Sequence, residues 1–196
     1  MDSALQAAKL NAPAIDLSFA RAWQAEILPM RPLILPPRHY VYPREVEEIE
    51  RGALEVMVRR EGEGQPFLAT CALGFRDPAA PTGIWSAPNA DELCAVSGGY
   101  AYVINTAAPE RFTFLPYRPV MRVLPVVECG LLLFVGHRTI LAWGRAGQAW
   151  ESAKLSDEGV TVTGIEGNVL RGLGWNLFSD REGPFSLDLE SGAMRG

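Results

Sequence analysis

From about residue 52 to the C-terminus the chain repeats loosely about every forty residues, and no other feature constrains its fold as strongly. Four stretches can be laid under one another: Gly52–Glu92, Leu93–Cys129, Gly130–Gly167 and Asn168–Gly196. Each holds short apolar runs separated by Gly, Pro, Asn or Asp, with no helical stretch between them. Several short strands per unit at this period mark a propeller-like array, because one small sheet cannot bury its faces alone and must stack on its neighbours. The expected fold is all-β: a propeller-like or partial-propeller array of antiparallel hairpins, with a twisted β-sandwich as the alternative. Four units are few for a closed propeller, and an open array leaves edges that need cover.

Residues 1–51 read differently and are available for that cover. Ser3–Asn11 has the composition of a short helix stopping before Pro13. Asp16 or Ser18 would cap a second helix, with Phe19, Ala22, Trp23 and Ile27 on one face and Pro29 closing it. Pro29–Pro43 holds five prolines in fifteen residues, which predicts an extended strap packed across its own domain rather than a peptide ligand for another protein. Glu45–Glu50 reads as a solvated acidic segment. The domain reading is therefore a helix and Pro-rich strap over residues 1–51, packed on a single β-repeat domain over residues 52–196.

Within that domain the strands follow at short spacing. Ala53–Arg59 alternates apolar and polar residues, Glu61–Gln65 turns, and Phe67–Leu73 returns, which is a hairpin. Cys94–Val96, Ser97-Gly98-Gly99 and Tyr100–Asn105 form the next, followed by Thr113–Leu115 and Val120–Val127. Leu131–Val135, Thr139–Trp143 and Gln148–Glu151 make the third set. Gly159–Gly164, Asn168–Gly172 and Pro184–Leu189 close the chain.

Some of these hairpins carry a resemblance. Ser186–Gly192 (SLDLESG) resembles the hairpin A-x-D-x-x-T-G-x-x-x-W of quinoprotein-like and WD40-like propeller blades, with Asp188 at the turn acid, Ser191 at the Thr and Gly192 at the Gly. Ala142–Trp150 keeps the Ala, Gly and Trp but is two residues shorter and has Gly144 in place of the acid, and Tyr100–Ala107 offers Asn105 there. The resemblance implies that the acid caps the turn, the Gly supplies positive φ and the Trp docks between neighbouring blades. It carries over no quinone cofactor and no metal. The C-terminal part, through Trp150-Glu151-Ser152, Leu155-Ser156, Gly172–Trp175 and Pro184–Gly192, is similar to a group of uncharacterised bacterial and plant proteins.

Composition narrows the function class. A net charge of −5 argues against general affinity for a phosphate backbone, so nucleic acid is not an expected partner. No stretch approaches the length of a membrane span, and the N-terminal MDSALQAAKLNAPAIDLSF lacks the apolar core of a signal peptide. Cys71, Cys94 and Cys129 are odd in number and sit among Ala, Leu and Val, as buried thiols do in a reducing compartment. The expected location is cytoplasmic, without contact to a membrane.

The chemistry-bearing residues are sparse. Two histidines exist, His39 and His137, and neither has a partner at metal-ligand spacing, so no metal and no cofactor are expected. His137 with Glu128 is the catalytic candidate, a base and an acid that would have to converge in space. Glu166, Asp180 and Asp188 are further carboxylates, of which Asp188 reads as a turn cap. Trp143, Arg145 and Tyr102 are the binding candidates, an aromatic and cationic set suited to a peptide or sugar face, although packing between units explains most tryptophans here. Three functions follow in order: a non-enzymatic binding or scaffolding module for a protein or small ligand; an enzyme acting on small molecules or carbohydrates; and a structural subunit completing a larger β assembly as a homo-oligomer.

Overall fold

A computed structural model describes residues 12–44, 50–62 and 65–195. It divides into two compact units. The first holds the described residues up to Ser86 together with Ala90–Pro119, and the second holds Ala87–Asn89 with the described residues from Val120 onward.

Nine strands belong to the first unit: β1 (Ala14–Asp16), β2 (Trp23–Leu28), β3 (His39–Tyr42), β4 (Ala53–Arg60), β5 (Phe67–Ala72), β6 (Gly83–Ser86), β7 (Glu92–Ser97), β8 (Tyr100–Asn105) and β9 (Phe112–Phe114). Two sheets result, one ordered β2-β4-β5-β3 and the other β1-β6-β7-β8-β9. All neighbours are antiparallel except β1 with β6 and β3 with β5. The period-2 pattern decides which face is buried. Leu54, Val56 and Val58 of β4 alternate with Glu55 and Met57, and the first three join Trp23, Tyr42, Phe67, Ile84, Leu93, Tyr102 and Ile104 in one core between the sheets. Trp23 is fully buried there, and its indole Nε1 donates to the backbone oxygen of Glu92 at 3.2 Å. Removing one such side chain from water is worth about 4–6 kcal/mol before entropic costs.

The second unit contains β10 (Arg122–Val126), β11 (Leu131–Val135), β12 (Ile140–Gly144), β13 (Gly147–Glu151), β14 (Val160–Glu166), β15 (Val169–Asn176) and β16 (Arg181–Asp188). They make two meanders, β10-β11-β12-β13 and β14-β15-β16, that share a core of Leu133, Val135, Ile140, Trp150, Leu170, Phe185 and Leu187. Trp150 repeats the arrangement of Trp23, its Nε1 donating to the Leu189 oxygen at 2.8 Å. Its ring lies against Gly192, where a Cβ would come within 2.6 Å of the ring and where φ is 71°.

The all-β class read from the sequence is observed, as several antiparallel sheets of which none is closed. The turn chemistry assigned to Asp188 is also present: its Oδ1 accepts from the backbone N–H of Glu190 and of Ser191, both at 3.0 Å. Asn105 accepts in the same way from Ala107 and Ala108, and Asn176 from Phe178 and Ser179. Three strand ends thus stop on one device, a side-chain oxygen mimicking a backbone turn.

One expectation fails. Residues 18–28 do not form an amphipathic helix; Trp23–Leu28 is strand β2, paired with β4 over six residues from Trp23↔Arg60 to Leu28↔Glu55. The segment WQAEIL is rich in helix formers, but Trp23, Ala25 and Ile27 also alternate, and pairing to a long neighbour with burial of that face overrides propensity. The Pro-rich strap contains β3, and Gly83–Ser86, assigned from sequence to the first repeat, joins the second sheet. The helix expected at Ser3–Asn11 and most of the acidic segment Glu45–Glu50 lie outside the described residues. No helix of the described residues is long and apolar enough to cross a membrane.

All three cysteines are free, and Cys71 and Cys94 are fully buried while Cys129 is half-exposed. Burial pushes both buried thiols far above the ordinary thiol range, with Glu55 adding to the effect at Cys71. Thiol labelling of the native protein is therefore expected to modify Cys129 alone, with Cys71 and Cys94 reacting only after denaturation. Trp23→Phe is expected to lower stability by about 1–3 kcal/mol in chemical denaturation, because the Glu92 carbonyl loses its buried donor.

Candidate functional site

The side of β4 turned away from the core carries Glu55, which is 5% exposed. Its register partner across the ladder is Thr70 of β5, fully buried in an otherwise apolar strand. A lone carboxylate in this position would be costly, and three neighbours satisfy it or its partner. Arg31, in the Pro-rich segment after β2, donates from Nε to Glu55 Oε1 at 2.8 Å. The Thr70 hydroxyl donates to Oε2 at 2.6 Å. His39 Nε2 of β3 lies 2.9 Å from the same hydroxyl oxygen.

These bonds determine the proton inventory. The single hydroxyl proton of Thr70 goes to Glu55, so His39 Nε2 must be the donor to Thr70 and Nδ1 is the ring's acceptor. Burial lowers the His39 pKa below its usual 6.5, the Arg31 charge lowers it further, and Glu55 opposes them. Arg31, Glu55, Thr70 and His39 resemble a nucleophile–base chain in composition only. The hydroxyl is inaccessible and already committed to the carboxylate, so Thr70 is not poised for attack.

Glu55 is also among the residues lining a cleft of about 640 Å³ in the first unit. Pro13 and Ile15 of the β1 segment, Ile27, Leu28 and Pro29 at the end of β2, and Leu54 and Leu73 give it apolar walls. Thr82 and Ser97 are its other polar side chains. Ser97 ends β7 at the Gly98-Gly99 turn, whose two glycines hold φ of 55° and 78°. A Cβ at Gly98 would approach the Phe75 carbonyl oxygen to 2.4 Å, so the turn accepts no larger residue. Gly98 N–H donates to Thr82 Oγ1 at 2.9 Å. The Ser97 hydroxyl is buried and has no hydrogen-bond partner among the described residues.

The residues named from sequence lie elsewhere. Glu128 sits in a 3-10 turn before β11 and His137 in the turn after it, both exposed, so the five residues of β11 separate them by about 17 Å. Trp143 is buried in β12 and Arg145 is exposed in the β12–β13 turn of the second unit. Tyr102 is a core residue of the first unit, fully buried, stacked on Phe114 and donating to the Ala72 oxygen at 3.0 Å. Asp188 and Asp157 hold turns and are ion-paired with Arg195 and Lys154. No three His, Cys, Asp or Glu side chains among the described residues are grouped to hold a metal.

Sequence reasoning missed Arg31, Glu55, Thr70, Ser97 and the cleft. The available signal was Thr70 inside FLATCA and Glu55 inside ALEVMV, single polar residues in runs whose neighbours are buried. No protein-family model matches the chain, and no curated protein shows significant similarity to it.

Because the folded state disfavours the His39 proton, the unfolded chain binds it first as pH falls. The contribution of His39 is present above about pH 6.5 and is lost below it. The Tm difference between wild type and His39→Asn is expected to narrow from pH 7.5 to pH 5. Arg31→Ala, which leaves the carboxylate buried and unpaired, is expected to cost about 1–3 kcal/mol and more than Glu55→Gln, which keeps an acceptor for Thr70; urea titrations of the two variants compare them.

Proposed function

We propose that the protein is a non-enzymatic binding module whose first unit receives a small, largely apolar ligand in the cleft beside Glu55. The observation that carries this reading is an apolar-walled cleft of about 640 Å³ with three polar side chains on its wall, a composition and size typical of ligand sites. The hydroxyl–histidine–carboxylate chain beside it is committed to structural hydrogen bonds, which favours binding over catalysis.

The finer architecture belongs to the same proposal. The four sheets have three to five strands, and three of them are built around consecutive antiparallel strands, as in a propeller-like array. Three free thiols suit a reducing, cytoplasmic setting.

Ile15 is 59% exposed on the rim, so its substitution tests the cleft with little risk to the fold. Neutral aromatic compounds are expected to raise the melting temperature of the wild type saturably, and Ile15→Glu is expected to weaken that binding at least tenfold. Equal binding to both proteins would place the ligand elsewhere and overturn the reading.

A further inference from the structure

We infer that the cleft selects an uncharged ligand bearing a hydroxyl or carbonyl oxygen, and that Ser97 is the residue that recognises this oxygen; this rests on the cleft being a binding site. The first support is the state of Ser97. A buried hydroxyl without a partner is unfavourable, and native interiors keep few of them. Ser97 is such a group, it belongs to the cleft wall, and alanine would fit the same strand position without the penalty. Ser97 is 0% exposed, so a ligand oxygen reaches and satisfies its hydroxyl only as the side chains covering it part. Thr82 adds to this demand: its oxygen already accepts from Gly98 N–H, which leaves its proton to donate to an acceptor in the cleft.

The second support is charge. Among the described residues Glu55 is the one ionisable residue lining the cleft, and Arg31 matches its charge at 2.8 Å while Thr70 occupies its other oxygen at 2.6 Å. The wall is therefore electrically balanced. An ionic ligand would give up its hydration and meet no unpaired counter-charge, whereas a neutral polar group loses little and gains Ser97. Neutral molecules with an apolar body and one oxygen are the class that both features fit.

The test compares three probes of one shape at pH 7 by calorimetric titration: naphthalene, 2-naphthol and 2-naphthoate. In the wild type 2-naphthol is expected to bind at least fivefold more tightly than naphthalene, and 2-naphthoate more weakly than either. In Ser97→Ala the advantage of 2-naphthol is expected to fall below twofold while naphthalene affinity is unchanged or improved. Thermal unfolding confirms that the variant folds, and Thr82→Val and Ser97→Cys supply the comparison if it does not. Equal binding of naphthalene and 2-naphthol in the wild type, an undiminished advantage in Ser97→Ala, or tight binding of 2-naphthoate would overturn the inference and leave the cleft as a site. Failure of all three probes to bind, or equal binding to Ile15→Glu, would instead remove the cleft itself.

Discussion

Each small sheet in this protein has two faces and too few strands to close on itself, so every sheet must give one face to a neighbour. In both units that requirement is met around a tryptophan. Trp23 and Trp150 each lie buried in a shared core, and each hands its indole N–H to a carbonyl near the partner sheet, Glu92 and Leu189. A tryptophan supplies more apolar area than other side chains, but burying it leaves a donor that must be paired. The two hydrogen bonds fix where the ring sits and hence how the paired sheets face one another within each unit. Gly192 follows from the same constraint, since the Trp150 ring occupies the space of its missing side chain.

The candidate site is a consequence of how the first unit's strands are placed. With Leu54 and Val56 given to the core, Glu55 is obliged to turn to the other side of β4, where Thr70 meets it in register and Arg31 neutralises it. Where β1 edges one sheet and β2 edges the other, the two contribute apolar walls to one cleft, and the end of β7 brings Ser97 to it. A balanced charge, apolar walls and one unsatisfied hydroxyl make a site that discriminates by hydrogen bonding rather than by ionic attraction.

The hairpins were legible in the sequence because alternation and turn residues act locally. Leu131–Val135 matches β11 residue for residue, and Asp188 and Asn105 cap the turns at which the blade-hairpin resemblance put them. Trp23–Leu28 was not legible, because Gln, Ala, Glu and Leu favour a helix and only the long-range ladder to β4 decides for a strand. His39–Tyr42 was hidden for a similar reason: its pairing to β5 is parallel and non-local, and the surrounding prolines suggest no ladder. The site was less legible still. Arg31, Glu55, Thr70 and Ser97 are spread over sixty-seven residues of chain and share no motif, so their meeting is a property of sheet register, which sequence spacing does not express. His137 is one of two histidines and Glu128 lies nine residues before it, yet the intervening strand β11 holds them apart.

The most direct test of the account is a crystal structure of the protein grown with a neutral aromatic alcohol. The ring is expected against Ile27 and Leu54, with the alcohol oxygen within hydrogen-bond distance of Ser97 Oγ and the Arg31–Glu55 pair unbroken. A ligand bound elsewhere, or a Ser97 hydroxyl already paired with a protein group beside an empty cleft, would contradict it.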